Sequence, residues 1–369
     1  MISSRPDLAA VLAFGIAAFC TALVVPIVRR AGLRWGLIDQ PDSRKQHTTP
    51  MVRLGGVGIV GGFVIALALI WLMGGFVELP PQRDSQIWTT IAGALCFFVI
   101  GLADDLFASP PLPRLGGQVL VAMAVWSQGV QIGAIDLPFH LLGGPSGAIP
   151  LPDGLSLIAT VIWLVGITNA INWLDGLDGL AAGVSGIAAV GLLSVSYSLN
   201  QPAPGLLAAA LAGSCLGFLR HNFNPARIFM GDGGSYFLGF ALAAISIVGP
   251  AKGITSVSLL LPLLILSLPL ADMSAVIMGR LSSGHSPFYP DRRHLHHRLL
   301  RSGLSHRRTV LLIYAFTQWL AALALVVVNA EMRFLWLALA TAVLIWVLVR
   351  SRRQLHKLEK AKRMGAERP

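Results

Sequence analysis

Charge is what this sequence lacks. Asp, Glu, Lys and Arg make up 12% of its 369 residues, against roughly 25% in an ordinary soluble domain. Too few polar side chains remain to clothe a water-facing surface, which excludes a soluble enzyme. A disordered tail protein, which lives on charge, is excluded as well. Cysteine is scarce: Cys20, Cys96 and Cys215 all sit in apolar runs, so they are read as core packers rather than a disulfide framework. There is no Walker A sequence, no H-E-x-x-H and no G-x-S-x-G. Gly56-Val-Gly58-Ile-Val-Gly61 does match G-x-G-x-x-G, but it lies inside an apolar span with no strand before it. Close helix packing explains it better than a dinucleotide.

What is abundant is hydrocarbon. Hydrophobic residues make up 55% of the chain and the mean hydropathy is +0.71. The pattern predicts an all-α, polytopic integral membrane protein with about eleven transmembrane helices. They fall near 8–28, 55–76, 87–103, 115–131, 155–171, 180–198, 204–220, 234–249, 255–271, 309–329 and 333–350. The first is too long for a signal peptide, and Phe19 before Cys20 spoils a cleavage site, so it is read as a retained span. Residues 1–350 form one membrane domain, and 351–369 a basic tail, an exposed helix or disordered.

An odd number of spans puts the two ends on opposite sides. Loops 29–54, 104–114, 220–233 and 272–308, together with the tail from Arg350, carry 24 Lys and Arg. The other side carries only Arg5, Arg83, Lys252 and Arg333. This asymmetry places the N-terminus outside and the C-terminus in the cytoplasm, in a cell (plasma) membrane. It also accounts for the net charge of +11 without a nucleic-acid partner. Eight of nine histidines, all but His140, fall on the cytoplasmic side, as does a further short loop, 172–180. The tail suits contact with anionic lipid.

The chemistry-bearing residues cluster on that side. Asp104-Asp105 ends the third span, where two adjacent carboxylates need a cation or solvent; a metal-associated pair, a base and a solvated helix end all remain open. Asn169, Asn172, Asp175 and Asp178 recur every third residue, with Gly176 and Gly179 directly after the two aspartates, which predicts a segment that unwinds into a polar pocket. Asn222 precedes the run Gly231-Asp232-Gly233-Gly234-Ser235 at a helix start. There free backbone N–H groups would bind an anion, and Asp232 a bridging cation. Arg292, Arg293, His294, His296 and His297 lie within six residues. With no cysteine nearby they suit phosphates better than zinc. Arg44, Lys45 and His47 sit in the first loop, where topology charge and phosphate binding are equal readings. A membrane-embedded, cytoplasm-facing site of this kind describes phosphoryl transfer to a lipid.

These motifs, spread over about residues 35–310, resemble the polyprenyl-phosphate N-acetylhexosamine-1-phosphate transferases, glycosyltransferase family 4, in that family's order. His294-Leu-His296-His297 after Ser286-Pro-Phe-Tyr-Pro-Asp-Arg, and Arg44-Lys45-Gln-His47 before Gly55-Gly56, look like the WecA-type branch. The resemblance implies transfer of GlcNAc-1-phosphate from UDP-GlcNAc to undecaprenyl phosphate, with release of UMP, as the first membrane step of a cell-envelope polysaccharide. By matching positions it implies Asp104 and Asp105 as the catalytic pair, and Asp232 with Asn172 as ligands of Mg²⁺, or Mn²⁺ in its place. It assigns Asp175, Asp178, Asn222, Arg293, His294, His296 and His297 to the nucleotide sugar, and Lys45, His47 and Arg114 to the lipid phosphate. Arg114 stands where the family usually has Lys, and Met273 follows Asp272 where Thr is common, which leaves the role of Asp272 open. UDP-GalNAc or UDP-MurNAc-pentapeptide as donor, a covalent intermediate and a homodimer also stay open. A transporter would need charges near mid-membrane and paired repeats. A scaffold without activity would not need all five clusters.

Overall fold

A chain this apolar has to satisfy its backbone from within, and inside a bilayer helices do so segment by segment. The structure, a computed structural model, describes residues 5–39, 50–76, 81–136, 148–249, 260–286, 293–328 and 330–366. It is all-α apart from two short ladders. In chain order α1 is Pro6–Arg34, α2 Gly55–Leu72, α3 Pro81–Phe107, α4 Pro111–Ser127, α5 Asp153–Leu174, α6 Leu180–Ser198 and α7 Pro202–Asn222. Then come α8 Gly231–Val248, α9 Leu260–Ile265, α10 Ser267–Leu281, α11 Leu295–Arg301, α12 His306–Val327 and α13 Arg333–Ala366. Strand β1 (Ile38–Asp39) pairs antiparallel with β2 (Met51–Val52), Ile38 opposite Val52. Strand β3 (Ala134–Asp136) pairs antiparallel with β4 (Ala148–Pro150), Ile135 opposite Ile149.

Among the described residues nine helices are long and apolar enough to cross a membrane: α1, α2, α3, α5, α6, α7, α8, α12 and α13. Two expected spans come out differently. The one near 115–131 is α4, which starts earlier and has 17 residues. The one near 255–271 lies partly outside the described residues, and its described part is divided at Leu266 into α9 and α10. Pro269 explains the break, since it offers no N–H to the carbonyl of Ile265 and its ring crowds that carbonyl. The basic tail is helical: α13 runs 34 residues, about 50 Å at 1.5 Å per residue, longer than the roughly 30 Å hydrocarbon layer.

Helix α8 is the axis. All of its residues but Asp232 are buried, and it packs against α2, α3 and α5. Phe237 meets Phe63 of α2 edge-on at 5.2 Å, and Phe240 meets Phe97 of α3 at 4.5 Å. Polar side chains within the spans bond back to their own helix, as Thr168 does to the Leu164 carbonyl (2.7 Å) and Ser214 to the Ala210 carbonyl (3.0 Å). The G-x-G-x-x-G match lies in α2 and packs helices, as its apolar setting implied. A Cβ on Gly56 would run into the backbone of Gly233 and Gly234.

Gly56→Ala should therefore lower stability by about 1–3 kcal/mol through overpacking. Gly61→Ala, whose nearest new neighbour is Val24 Cγ1 at 3.7 Å, should be neutral, or gain up to about 1 kcal/mol from helix propensity. Thermal unfolding in detergent compares them. Equal damage from both would mean that this run does more than pack.

Candidate active site

The start of α8 poses a capping problem. The first N–H groups of a helix have no partner within it, and no neighbouring side chain in the chain caps this one. Asp105, in the last turn of α3, does so from another helix. Its Oδ1 accepts the N–H of Asp232 at 2.8 Å and its Oδ2 the N–H of Gly233 at 2.9 Å. Gly231 has φ +77°, and a Cβ there would strike the Arg53 carbonyl and the Asp105 carboxylate. The glycine-rich turn therefore does bind an anion, but the anion is the protein's own. The expectation of free N–H groups awaiting a phosphate is corrected.

With Asp105 spent on the backbone, Asp104 and Asp232 remain as a pair of carboxylates linked through one arginine. Arg114 of α4 bridges them: its Nη1 donates to Asp104 Oδ2 and, at 3.2 Å, to Asp232 Oδ2. Asn172 Nδ2 donates to Asp232 Oδ1 (3.0 Å) and Ser235 Oγ (2.9 Å). Sequence reasoning missed a second arginine. Arg53 Nη2 lies 3.7 Å from Asp232 Oδ1 and 3.9 Å from Asp105 Oδ1. Burial works against its charge, but Asp232, Asp105, Asp39 and Asp175 outweigh burial and raise its pKa above the ordinary value. It follows β2, and the adjacent chain is stitched to the α8 approach: Phe229 N–H donates to the Val52 carbonyl (2.9 Å), and Gly55 N–H to the Phe229 carbonyl (2.9 Å). Topology charge hid Arg53; its place two residues before Gly55-Gly56, beside α8, was the available signal.

The segment 169–178 stays helical longer than expected. Helix α5 holds to Leu174 and only 175–179 turn, so Asn169 lies a turn below Asn172 and donates to Gln118 Oε1 at 2.7 Å. Beyond Asn172, Trp173 lies edge-on to His294 at 5.9 Å, and Arg280 stacks over the Trp173 ring at 4.9 Å. Loss of solvent pushes Asp175 up to about 7, Arg53 opposing and Asp105 and Asp178 reinforcing. Asp178 Oδ2 accepts from Asn224 Nδ2 (2.9 Å) and Ala226 N–H (3.0 Å). Buried Asn222 accepts from Gly179 N–H and donates to the Ile228 carbonyl, both at 2.9 Å. Asp178 and Asn222 thus brace the two loops against each other.

The histidines form a second cluster at the end of α5. His294 and His296 stack at 5.7 Å, and His297 tilts against His296 at 4.3 Å. His296 is buried against Gly176, where a Cβ would collide with its ring. Burial first, then His297 and His294, push it down to about 3, so it is neutral. Arg293 Nη1 donates to the Gly279 carbonyl at 2.5 Å. Lys45, His47 and Arg292 lie outside the described residues.

Asp104, Asp232 and the Asn172 carbonyl oxygen are all hard oxygen donors. Among the described residues no three His, Cys, Asp or Glu side chains stand close enough to cage a metal. An ion held by one or two carboxylates and completed by substrate phosphates fits this set.

The glycosyl transferase family 4 profile matches residues 87–250. Over 332 residues the chain is 34% identical to a probable undecaprenyl-phosphate N-acetylglucosaminyl 1-phosphate transferase of Bacillus subtilis, covering 89% of this chain and 87% of that protein. It is 38% identical over 321 residues to a decaprenyl-phosphate N-acetylglucosaminephosphotransferase of Mycobacterium tuberculosis, covering 81% and 77%. An undecaprenyl-phosphate alpha-N-acetylglucosaminyl 1-phosphate transferase of Haemophilus influenzae is 31% identical over 305 residues, covering 80% and 81%.

Asp105→Asn replaces an acceptor of a backbone N–H by a donor and should cost about 1–3 kcal/mol of stability, whereas Asp104→Asn should leave thermal unfolding close to wild type and impair turnover. Equal unfolding temperatures for the two variants would refute the cap. For Asp175 the raised pKa means the charged form is disfavoured in the folded protein. Wild type should lose stability relative to Asp175→Asn as pH rises from 3.8 to about 7, and the gap should then level off. Thermal scans across that range, without substrate or metal, check it.

Proposed function

Since this chain belongs to glycosyl transferase family 4, we propose that it transfers GlcNAc-1-phosphate from UDP-GlcNAc to undecaprenyl phosphate, releasing UMP, at the cytoplasmic face of the cell membrane. One observation carries the reading. Asp104 and Asp232, from different helices, converge on Arg114 while Arg53 stands beside Asp232. Two carboxylates for a cation and two guanidiniums for phosphate meet at the ends of membrane helices, within reach of a lipid acceptor and a soluble donor. The placement of basic residues supports the cytoplasmic side.

The chemistry is an in-line displacement. An oxygen of the polyprenyl phosphate bonds to the phosphorus that carries the sugar. The bond from that phosphorus to the bridging oxygen of the diphosphate breaks, and its electron pair leaves with UMP. A phosphate monoester has a second pKa near 6, so at neutral pH the acceptor is mostly dianionic and needs orientation more than deprotonation. Arg114 and Arg53 bind it and offset its charge against Asp104 and Asp232. Mg²⁺, or Mn²⁺, held by Asp232, Asp104 and the Asn172 carbonyl would neutralise the donor diphosphate and the charge that builds on the leaving phosphate. Asp105, with both oxygens on backbone N–H groups, is unsuited to be a nucleophile. The cluster of Arg293, His294, His296 and His297 holds the donor by charge-assisted hydrogen bonds.

Purified protein with undecaprenyl phosphate and Mg²⁺ should release UMP and form a lipid-linked product from UDP-GlcNAc. EDTA should abolish both, and Asp232→Ala should lower turnover at least about 100-fold while the protein stays folded. Product from UDP-GalNAc or UDP-MurNAc-pentapeptide instead would keep the mechanism and change the donor. No UMP from folded protein with any of the three would refute the reading, and near wild-type turnover by Asp232→Ala would refute the metal assignment.

A further inference from the structure

Asp272, on α10, is a buried carboxylate to which the reaction described so far gives no part. Its Oδ2 lies 2.9 Å from Nδ1 of His294, and its Oδ1 accepts the N–H of Leu295 at 2.7 Å. The carboxylate thus grips one residue by its ring and the next by its backbone. His294 is itself buried, between Trp173 of α5 and His296 of α11. The same helix holds the neighbouring residues as well. The Gly279 carbonyl takes Arg293, and Arg280 stacks over Trp173, the ring that meets His294. Helix α10 is a bracket that fixes 293–295 against the end of α5, where Asn172 reaches Asp232.

An ionised carboxylate only accepts hydrogen bonds. Nδ1 of His294 must then carry the proton, which leaves Nε2 as the nitrogen free to exchange one with a substrate. We propose that Asp272 is a positioning residue for the transfer reaction, fixing the tautomer and orientation of His294 so that Nε2 meets the donor diphosphate and, when protonated, donates to the departing UMP oxygen. Carboxylate partners of this kind fix the tautomer of a working imidazole and raise its basicity in other settings. His296, stacked on His294, is neutral and places no second charge against it. The inference rests on the function proposed above, but the pair can be read without it.

The experiment uses the full chain in lipid nanodiscs. Asp272→Asn keeps an oxygen for the Leu295 N–H but turns a donor toward Nδ1, which should force the other tautomer. Its kcat with UDP-GlcNAc should fall about 10–100-fold, with KM for the donor changing less and the unfolding temperature little. Asp272→Glu should recover part of the rate. His294→Gln should be as slow as the His294→Gln/Asp272→Asn double variant, because Asn still accepts the Leu295 N–H and the remaining effect of the carboxylate passes through the ring. Nitrogen-15 spectra of histidine-labelled protein without substrate should show one Nδ1–H ring that changes tautomer in Asp272→Asn. Additive losses in the double variant, wild-type kcat in Asp272→Asn or an unchanged histidine spectrum would each overturn the proposal. If Asp272→Asn unfolds, the Asp272→Glu rescue and the spectrum of the wild type, in which an Nε2–H His294 would refute the pairing, decide it. Wild-type protein that releases no UMP would overturn the functional reading alone, and the spectra would still decide the pair.

Discussion

The site depends on one carboxylate closing one helix. Helix α8 is the most deeply buried of the candidate spans and begins without a cap of its own, so its first N–H groups find an acceptor across the interface with α3. Asp105 is that acceptor. A negative charge at a helix N-terminus is favourable both by hydrogen bonding and by the helix dipole. The bond has a geometric consequence beyond its energy. It fixes the last turn of α3 against the first turn of α8, and so sets Asp104 and Asp232 at a distance where Arg114 reaches both. The adjacent aspartates therefore divide the labour: Asp105 builds the site and Asp104 lines it.

The end of α5 does for the two clusters what Asp105 does for the two helices. Asn172 reaches into the acidic centre and Trp173 into the histidine cluster, while Gly176 gives His296 the room to lie flat against the turn. The acidic centre and the histidine cluster thus both meet the end of one helix, the first at Asn172 and the second at Trp173. Cross-bracing by Asp178 and Asn222 holds the turn beyond it. Charge is balanced locally: Arg53 and Arg114 offset carboxylates that the low-dielectric surroundings would otherwise penalise. Those same guanidiniums are the groups a phosphate would find on arrival.

Several residues were legible in type but not in role. Asp104, Asp105 and Asp232 stood out as carboxylates at span ends, yet the glycine-rich turn was read as an open anion site because its partner is 127 positions away in the chain. The resemblance assigned Asn222 and Asp178 to the nucleotide sugar; in the structure Asn222 also bonds to Gly179 and Ile228, and Asp178 to Asn224 and Ala226, partners that no spacing reveals. Arg53 was masked by the basic residues that orient the chain, with only its place before Gly55-Gly56 to set it apart. The expected unwinding of 169–178 was too early, because the helix keeps its bonds until Gly176 and Gly179 make a turn cheap.

Composition and hydropathy alone determined that the chain is a helical membrane protein, since only a helix or a closed barrel satisfies backbone groups in hydrocarbon. The grouping of polar clusters in alternate loops pointed to the chemistry. The tertiary structure decided which aspartate caps and which one meets Arg114, which other arginine joins the site, and which carboxylate steadies His294. Those choices rest on hydrogen bonds between helices that are distant in the chain. Their energies depend on angles and ångströms that no local pattern encodes.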